Sequence, residues 1–315
     1  MIATSETLDS GGCKGGQIPG APNEHAFTQY AAQPLAIPVL IAVPHGGRTY
    51  PPALLRDLRY PPSMVLRLED RLIDLVAQGV ARATGAALLV AQAPRAMIDL
   101  NRGPEDVDWE MFVREARPAS GSATPSRRAR SGLGLIPRRL PGMGELWRRR
   151  LGSEDLAERL DGVHEPYHAT LGATLADLRD RWGAALLIDL HSMPPLPAPD
   201  GRGGTQIVIG DRFGASCHGS LVVAAFAHLA GCGREAAHNR PYAGGYVLER
   251  HAQPRQAIHA LQLEIDRSRY LDAALIELGA GVDAMVKDLA GLVRCLAERV
   301  SDLGDKAGAW PQAAE

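Results

Sequence analysis

The spacing of apolar positions changes several times along this chain, and each change predicts an element. Residues 35–43 are almost wholly apolar and end in Pro44-His45-Gly46-Gly47. A short unbroken run bounded by turn residues predicts a strand buried on both faces. Over residues 66–81 the apolar positions Leu68, Leu72, Ile73, Val76 and Val80 recur at helical spacing, which predicts a helix with Glu69 and Asp70 in its first turn. Residues 86–91 and 96–100 read as two further strands. A long amphipathic helix follows at 156–180, then a strand at 184–190 that ends at His191. A strand at 205–209, a helix at 213–229, a turn-rich stretch at 231–245, a strand at 257–265 and a helix at 271–299 complete the pattern. Strands that alternate with helices predict an α/β fold whose sheet is covered on both faces.

Three segments break this rhythm. Residues 1–34 are rich in Gly, Ser, Pro and Gln without an apolar period and read as a flexible leader. Residues 103–150, rich in Arg, Pro, Gly and Ser, read as a long excursion with little regular structure, the kind of loop that is usually functional or disordered. Residues 35–300 then form a single domain and 301–315 a tail.

Composition narrows the function. The chain has 315 residues, 45% hydrophobic and 22% charged, with a formal net charge of -2, so it lacks the basic surface that nucleic-acid binding demands. The excursion holds ten arginines between residues 111 and 150, but only Phe112 and Trp147 offer aromatic stacking there, and a solvated charged loop is the reading adopted. Cys13, Cys217, Cys232 and Cys295 form no C-x-x-C spacing, which argues against a structural zinc site or disulfide framework and fits a reducing cytoplasm. The N-terminus lacks a signal-peptide pattern, and no apolar run approaches the ~18–20 residues of a membrane span. Oligomeric state leaves no trace in the sequence.

The candidate chemistry lies at strand ends. Val43-Pro44-His45 and Asp189-Leu190-His191-Ser192 each close a strand with histidine, 146 positions apart. Ligands of open α/β sheets gather outside the carboxyl ends of the strands, so the two imidazoles are candidates to share one metal. Catalytic zinc commonly takes two histidines and a carboxylate and leaves one position open. Glu69 or Asp70 can supply the carboxylate; neighbouring helical residues point about 100° apart, so only one can face the site. Asp99-Leu100-Asn101-Arg102 sets an amide beside a guanidinium at a predicted strand end, a pairing suited to gripping a carboxylate, with Arg95 a second cation nearby. Glu264, among apolar neighbours in Gln262-Leu263-Glu264-Ile265, is placed where burial would raise its pKa toward that of a general base. Tyr242 and the Gly244-Gly245 pair lie in the turn-rich stretch.

In order along the chain, His45-Gly46-Gly47, Glu69-Asp70, Asp99-Leu100-Asn101-Arg102, Pro166-Tyr167-His168, Asp189-Leu190-His191-Ser192-Met193, Asn239-Arg240-Pro241-Tyr242-Ala243-Gly244-Gly245 and Gln262-Leu263-Glu264 resemble the N-formylglutamate amidohydrolase family. The resemblance covers residues 35 to about 275. It implies a three-layer α/β/α sandwich with a mixed, mostly parallel sheet, like that of the zinc exopeptidases and aspartoacylases. It further implies one Zn2+ held by His45, His191 and Asp70 (or Glu69), activation of water by Glu264, and a substrate carboxylate held by Asn101 and Arg102, with Arg95, Tyr242 and Gly244 nearby. The implied reaction is hydrolysis of N-formyl-L-glutamate to formate and glutamate, often at the end of histidine degradation. The alternatives are a related hydrolase of other N-acyl amino acids or short peptides, and a non-catalytic binding protein on the same fold. One departure stands out. Members often carry His-Ser-Gly where this chain has His45-Gly46-Gly47.

Overall fold

A computed structural model describes residues 12–117, 126–140, 142–197 and 204–308. Residues 1–11 of the expected leader, 118–125 and 141 of the excursion, and 309–315 of the tail lie outside the described residues. The strands are β1 (Cys13–Gly15), β2 (Phe27–Tyr30), β3 (Val39–Val43), β4 (Ala87–Ala91), β5 (Arg139–Leu140), β6 (Gly144–Glu145), β7 (Ala185–Met193), β8 (Ile207–Gly210), β9 (Ala236–His238) and β10 (Ile258–Asp266). Eight of them form one mixed sheet in the order β1-β2-β4-β3-β7-β10-β8-β9, while β5 and β6 make a separate small hairpin. The central run β4-β3-β7-β10 is parallel throughout. Antiparallel pairing enters where β2 meets β4, where β1 meets β2 and where β8 meets β10.

The apolar runs explain this arrangement. Successive residues of a strand point to opposite faces, and in β3 Leu40 and Ala42 join one core while Val39, Ile41 and Val43 join the other. The same division runs through β7, with Ala185 and Leu187 on one side and Leu186, Ile188 and Leu190 on the other. Four long helices cover the sheet: α1 (Ile73–Thr84), α2 (Glu165–Trp182), α3 (Gly219–Gly231) and α4 (Val282–Gly308). Leu171, Leu175 and Leu178 of α2 lie in the first core; α1, α3 and α4 supply Val76, Leu221, Leu289 and Val293 to the second. The α/β architecture with a largely parallel mixed sheet between helical layers is the one expected.

Several local expectations need correction. The stretch read as a leader contributes β1 and β2, and Phe27 is buried; paired backbone, not an apolar period, orders it. The excursion is not loosely attached, because Leu135, Ile136, Leu140, Leu146 and Trp147 sink into the first core. Residues 96–100 are not a strand. They begin as a tight turn in which Met97 donates to the Pro94 carbonyl, and their apolar side chains pack over the first core. The helix expected from residue 271 starts at Val282, since the Asp272 carboxylate accepts from the amides of Ile276 and Glu277 and closes a turn instead.

The correction at 66–81 matters most. Leu66–Leu68 is a single 3-10 turn, Glu69 is extended, and α1 begins only at Ile73 after Leu72 in a left-handed conformation. Leu68 belongs to the first core and Leu72 to the second. The chain therefore crosses from one face of the sheet to the other between them, and Asp70 is carried over the strand ends on the way. Its amide donates to the His45 carbonyl at 3.0 Å, which fixes the crossing beside the end of β3.

Candidate metal centre and active site

His45 sits two residues beyond β3, and His191 is the seventh residue of β7, so both stand at the carboxyl ends of neighbouring parallel strands. Asp70 arrives from the crossing segment. One ligand atom from each of these three buried residues lies within 4.8 Å of the others, a cluster able to hold a metal ion. His191 Nδ1 is 2.9 Å from Asp70 Oδ2, and His45 Nδ1 is 3.5 Å from the same oxygen.

The far side of each imidazole explains why these nitrogens face inward. His45 Nε2 donates to Asp99 Oδ1 at 2.7 Å, and His191 Nε2 lies 2.9 Å from Asp189 Oδ2. A carboxylate behind each ring fixes the tautomer that leaves Nδ1 with its lone pair, the usual support of metal-bound histidines. His45 Nδ1 is buried without a hydrogen-bond partner. An orphaned imidazole nitrogen next to a second imidazole and a carboxylate fits a metal well, because the cation satisfies all three at once.

Of the two adjacent acids only Asp70 faces both rings. Its other oxygen accepts from Arg267 Nη2 at 3.2 Å. Glu69 turns away, accepting from Tyr50 at 2.8 Å and from Arg71 at 3.3 Å. The extended backbone, not helical rotation, separates them. Burial alone would raise the Asp70 pKa, but the imidazoles of His191 and His45 outweigh it and hold the carboxyl well below its usual range. For His191, burial is outweighed by the Asp189 and Asp70 carboxylates, which raise it well above the ordinary imidazole value.

Glu264 in β10 is the register partner of His191 in β7, so the two side chains leave the sheet on the same face. It is 8% exposed, less than the half-burial its alternating surroundings predict. Burial lifts its pKa to about 7 against the opposing pull of His191. Gln262, two residues earlier on the same face, donates to Glu264 Oε1 at 2.9 Å.

A cavity of about 380 Å³ opens above these groups, and Arg95, Asn101, Arg102, Tyr242 and Gly244 all border it. Its arginines differ in state. Arg95 directs Nε and Nη2 to Asp99 Oδ2 at 3.0 and 2.9 Å. Arg102 approaches that carboxylate only to 3.9 Å, and its Nε is buried without a hydrogen bond. The sequence reading of Arg102 as a strand-end cation is corrected in two ways: the segment is a turn, and the side chain is mostly buried, with burial lowering its pKa.

Asn101 is fully engaged. Its Oδ1 accepts from the Val247 amide at 2.9 Å, while Nδ2 lies 3.4 Å from Asp189 Oδ2 and 3.3 Å from His191 Nε2. Two histidines of one helical stretch bracket it from below. His168 Nε2 bonds the Leu100 carbonyl at 3.0 Å and His164 Nε2 the Arg102 carbonyl at 2.9 Å. A π-helical turn at Leu160–His164 precedes α2, an irregularity frequent beside functional sites. His168 in turn meets His251 at 2.9 Å.

Two glycines permit this packing. A β-carbon at Gly47 would collide with the carbonyls of Ala93 and Gln92, and one at Gly245 would strike the Asn101 amide. Sequence reasoning did not single out Asp99, Asp189, Gln262 or Arg267 as site residues. Asp189 and Gln262 carried a usable signal, since each stands two positions before a site residue in a strand and so shares its face.

Two imidazoles and a carboxylate able to hold a metal ion stand at the carboxyl ends of the parallel strands, with a buried glutamate one strand away, an arrangement suited to a hydrolase. The comparisons agree. The family model described as N-formylglutamate amidohydrolase matches residues 37–271. An N-formylglutamate deformylase of Pseudomonas aeruginosa is 30% identical over 268 residues, covering 80% of this chain and 91% of that protein. The N-formylglutamate deformylase of Pseudomonas putida is 30% identical over 248 residues, covering 75% and 82%. The crystal structure of N-formylglutamate amidohydrolase from Ralstonia eutropha JMP134 superposes with a TM-score of 0.77 at 28% identity, covering 89% of this chain and 99% of that one. A gene product of Agrobacterium tumefaciens, Atu2144, shares the fold at a TM-score of 0.61 and 16% identity. This chain belongs to the N-formylglutamate amidohydrolase family.

Proposed function

We propose that this amidohydrolase cleaves the formamide bond of N-formyl-L-glutamate to give formate and L-glutamate, using one zinc ion held by His45, His191 and Asp70. The observation that carries the reading is the buried His45–Asp70–His191 cluster with Glu264 in register beside it. Zinc held by these three residues would supply Lewis acidity toward the formyl carbonyl and toward water near neutral pH.

The protein's own groups account for the remaining steps. Glu264, raised by burial to about 7, takes a proton from the attacking water and returns it to the departing amine nitrogen. Arg102 holds the α-carboxylate of the substrate; a desolvated guanidinium without a hydrogen bond on Nε is suited to receive an anion. Arg95, occupied by Asp99, adds positive potential without being the grip itself. Asn101 keeps the Arg102 turn against the site by donating to Asp189, the carboxylate behind His191, and by accepting from the Val247 amide. Tyr242 and Gly244 border the cavity where the acyl amino acid lies. No described helix is long and apolar enough to cross a membrane, and all four cysteines are free thiols, which supports work in a reducing cytoplasm.

A substrate panel tests the assignment. Formate release from N-formyl-L-glutamate should exceed acetate release from N-acetyl-L-glutamate and cleavage of dipeptides by at least tenfold in kcat/KM. Faster turnover of an N-acetyl amino acid or a dipeptide would transfer the site to a different N-acyl substrate.

A further inference from the structure

The excursion delivers to the site an arginine that the hydrolytic machinery leaves unused. Ser126 bonds the Asp106 carboxylate through both its amide and its hydroxyl, each at 3.0 Å, and its hydroxyl oxygen accepts from the Ala129 amide at 3.1 Å. The short helix Arg127–Arg130 is thus tied to the segment that follows Arg102, and Ala129 is fully buried beneath it. On this anchored turn Arg128 borders the metal cavity and also a neighbouring cavity of about 620 Å³, and Arg102 and Gly244 line both as well.

Among the described residues Arg128 is the one arginine of the excursion that borders the metal cavity; its neighbours Arg127 and Arg130 also lack a carboxylate partner but do not line it. Arg138 is paired with Asp108, Arg139 with Glu145 and Arg149 with Asp155. Among the described residues no carboxylate pairs with Arg128, and its charge acts on Arg102 as a like charge. Arg102 reaches the Asp99 carboxylate only at 3.9 Å and Arg128 has no carboxylate partner among the described residues, so their like charges repel with little relief unless anions lie between them. A ligand with two carboxylates relieves both. Arg102 and Arg128 border both cavities, and Arg102 also approaches Asp99, the carboxylate behind His45, so a ligand held by Arg102 can reach Arg128 with a second carboxylate.

We propose that Arg128 determines substrate specificity by pairing with the second, side-chain carboxylate of a glutamate-type substrate while Arg102 holds the α-carboxylate. The inference rests on the functional reading above, and its test must separate the two. Arg67, which also borders the metal cavity without an acidic partner among the described residues, is the rival cation.

The experiment compares wild type, Arg128→Gln and Arg67→Gln on N-formyl-L-glutamate and N-formyl-L-glutamine, with calorimetric binding of L-glutamate and L-glutamine as an arm independent of turnover. Arg128→Gln should lower kcat/KM for N-formyl-L-glutamate by roughly 10–100-fold, mainly through KM, because a charge-assisted hydrogen bond is lost. Turnover of the glutamine analogue should stay within about twofold, because that substrate never presented the charge. L-Glutamate binding should weaken in parallel while L-glutamine binding does not. Equal loss on both substrates, no loss on either, or a selective loss in Arg67→Gln instead would overturn the assignment. A protein that turns over neither compound yet loses its preference for L-glutamate in Arg128→Gln would refute the proposed reaction and leave the Arg128 assignment standing.

Discussion

Glu264 and His191 are register partners in adjacent parallel strands, and that pairing sets a buried carboxylate beside the cluster able to hold a metal ion. Because paired residues of parallel strands project to the same face, the sheet itself sets the spacing between Glu264 and His191, without help from a loop. Asp189 and Gln262 are paired two positions earlier on the same face of this ladder and bond these two side chains from behind.

Removing the Glu264 carboxylate should therefore stop proton transfer and spare the metal. Glu264→Gln is expected to lower kcat by about 10²–10⁴-fold while zinc content stays at one equivalent, measured by metal analysis of the purified variant. Loss of zinc along with activity would make Glu264 a ligand instead.

The same substitution predicts a stability effect in metal-free protein. The folded-state pKa of Glu264 is raised from 4.5 to about 7, so the native state binds this proton more tightly than the unfolded chain. Its contribution to stability is present below about pH 4.5 and is lost as pH rises through about 7. Glu264→Gln should thus gain stability over wild type at pH 8 and lose that advantage near pH 4, as read from urea midpoints. A constant difference across this range would contradict the raised value.

Metal affinity should separate the two neighbouring acids. His45→Ala, His191→Ala and Asp70→Ala are expected to abolish stoichiometric zinc, whereas Glu69→Ala retains it, because Glu69 faces Tyr50 and Arg71. In wild type the affinity should fall as pH is lowered, since His191, raised by its carboxylates, must release a proton to bind metal. Zinc retained in Asp70→Ala and lost in Glu69→Ala would reverse the ligand assignment.

How far the sequence reveals this site depends on the element that carries each residue. His45, His191 and Glu264 were legible because they occupy or follow apolar strands, and a strand's polar exception at its carboxyl end is informative. Asp70 was singled out by its acid chemistry but placed in the wrong element: Leu68, Leu72, Ile73, Val76 and Val80 satisfy a helical period although the chain crosses between two cores at Leu68–Leu72. The bond of Asp99 to His45, 54 positions away, and that of Arg267 to Asp70 left no local signal, because these partners meet only in the fold. β1 and β2 escaped notice for a similar reason: short edge strands are ordered by backbone pairing, which composition does not record.

Arg102→Lys keeps the charge and removes the fork. It should reduce kcat/KM by about 10–100-fold, or 1.4–2.7 kcal/mol of transition-state stabilisation, with zinc content unchanged. Amidating the α-carboxylate of the substrate should then penalise wild type heavily and the variant much less, as expected when both changes remove one interaction. Equal penalties would point to Arg95 as the grip.

The histidines beneath Asn101 predict acid sensitivity. Burial depresses His168 to about 2 and His251 to about 3, so below pH 6.5 the unfolded chain takes up protons that the folded protein refuses. Stability is complete above about 6.5 and declines as pH falls toward these values. His168→Gln should cost about 1–3 kcal/mol at pH 7 through its lost hydrogen bonds and show a shallower decline between pH 6 and 4. An unchanged slope, followed by chemical denaturation, would show that His168 is not held neutral.

The most direct test of a one-zinc amidohydrolase is a titration that reads metal and product together. Protein stripped by a chelator is given zinc in steps, and formate release from N-formyl-L-glutamate is measured at each. Activity should be near zero without metal, rise linearly and break at one equivalent per chain. Undiminished formate release from the metal-free protein, or a break at two equivalents, would contradict the account.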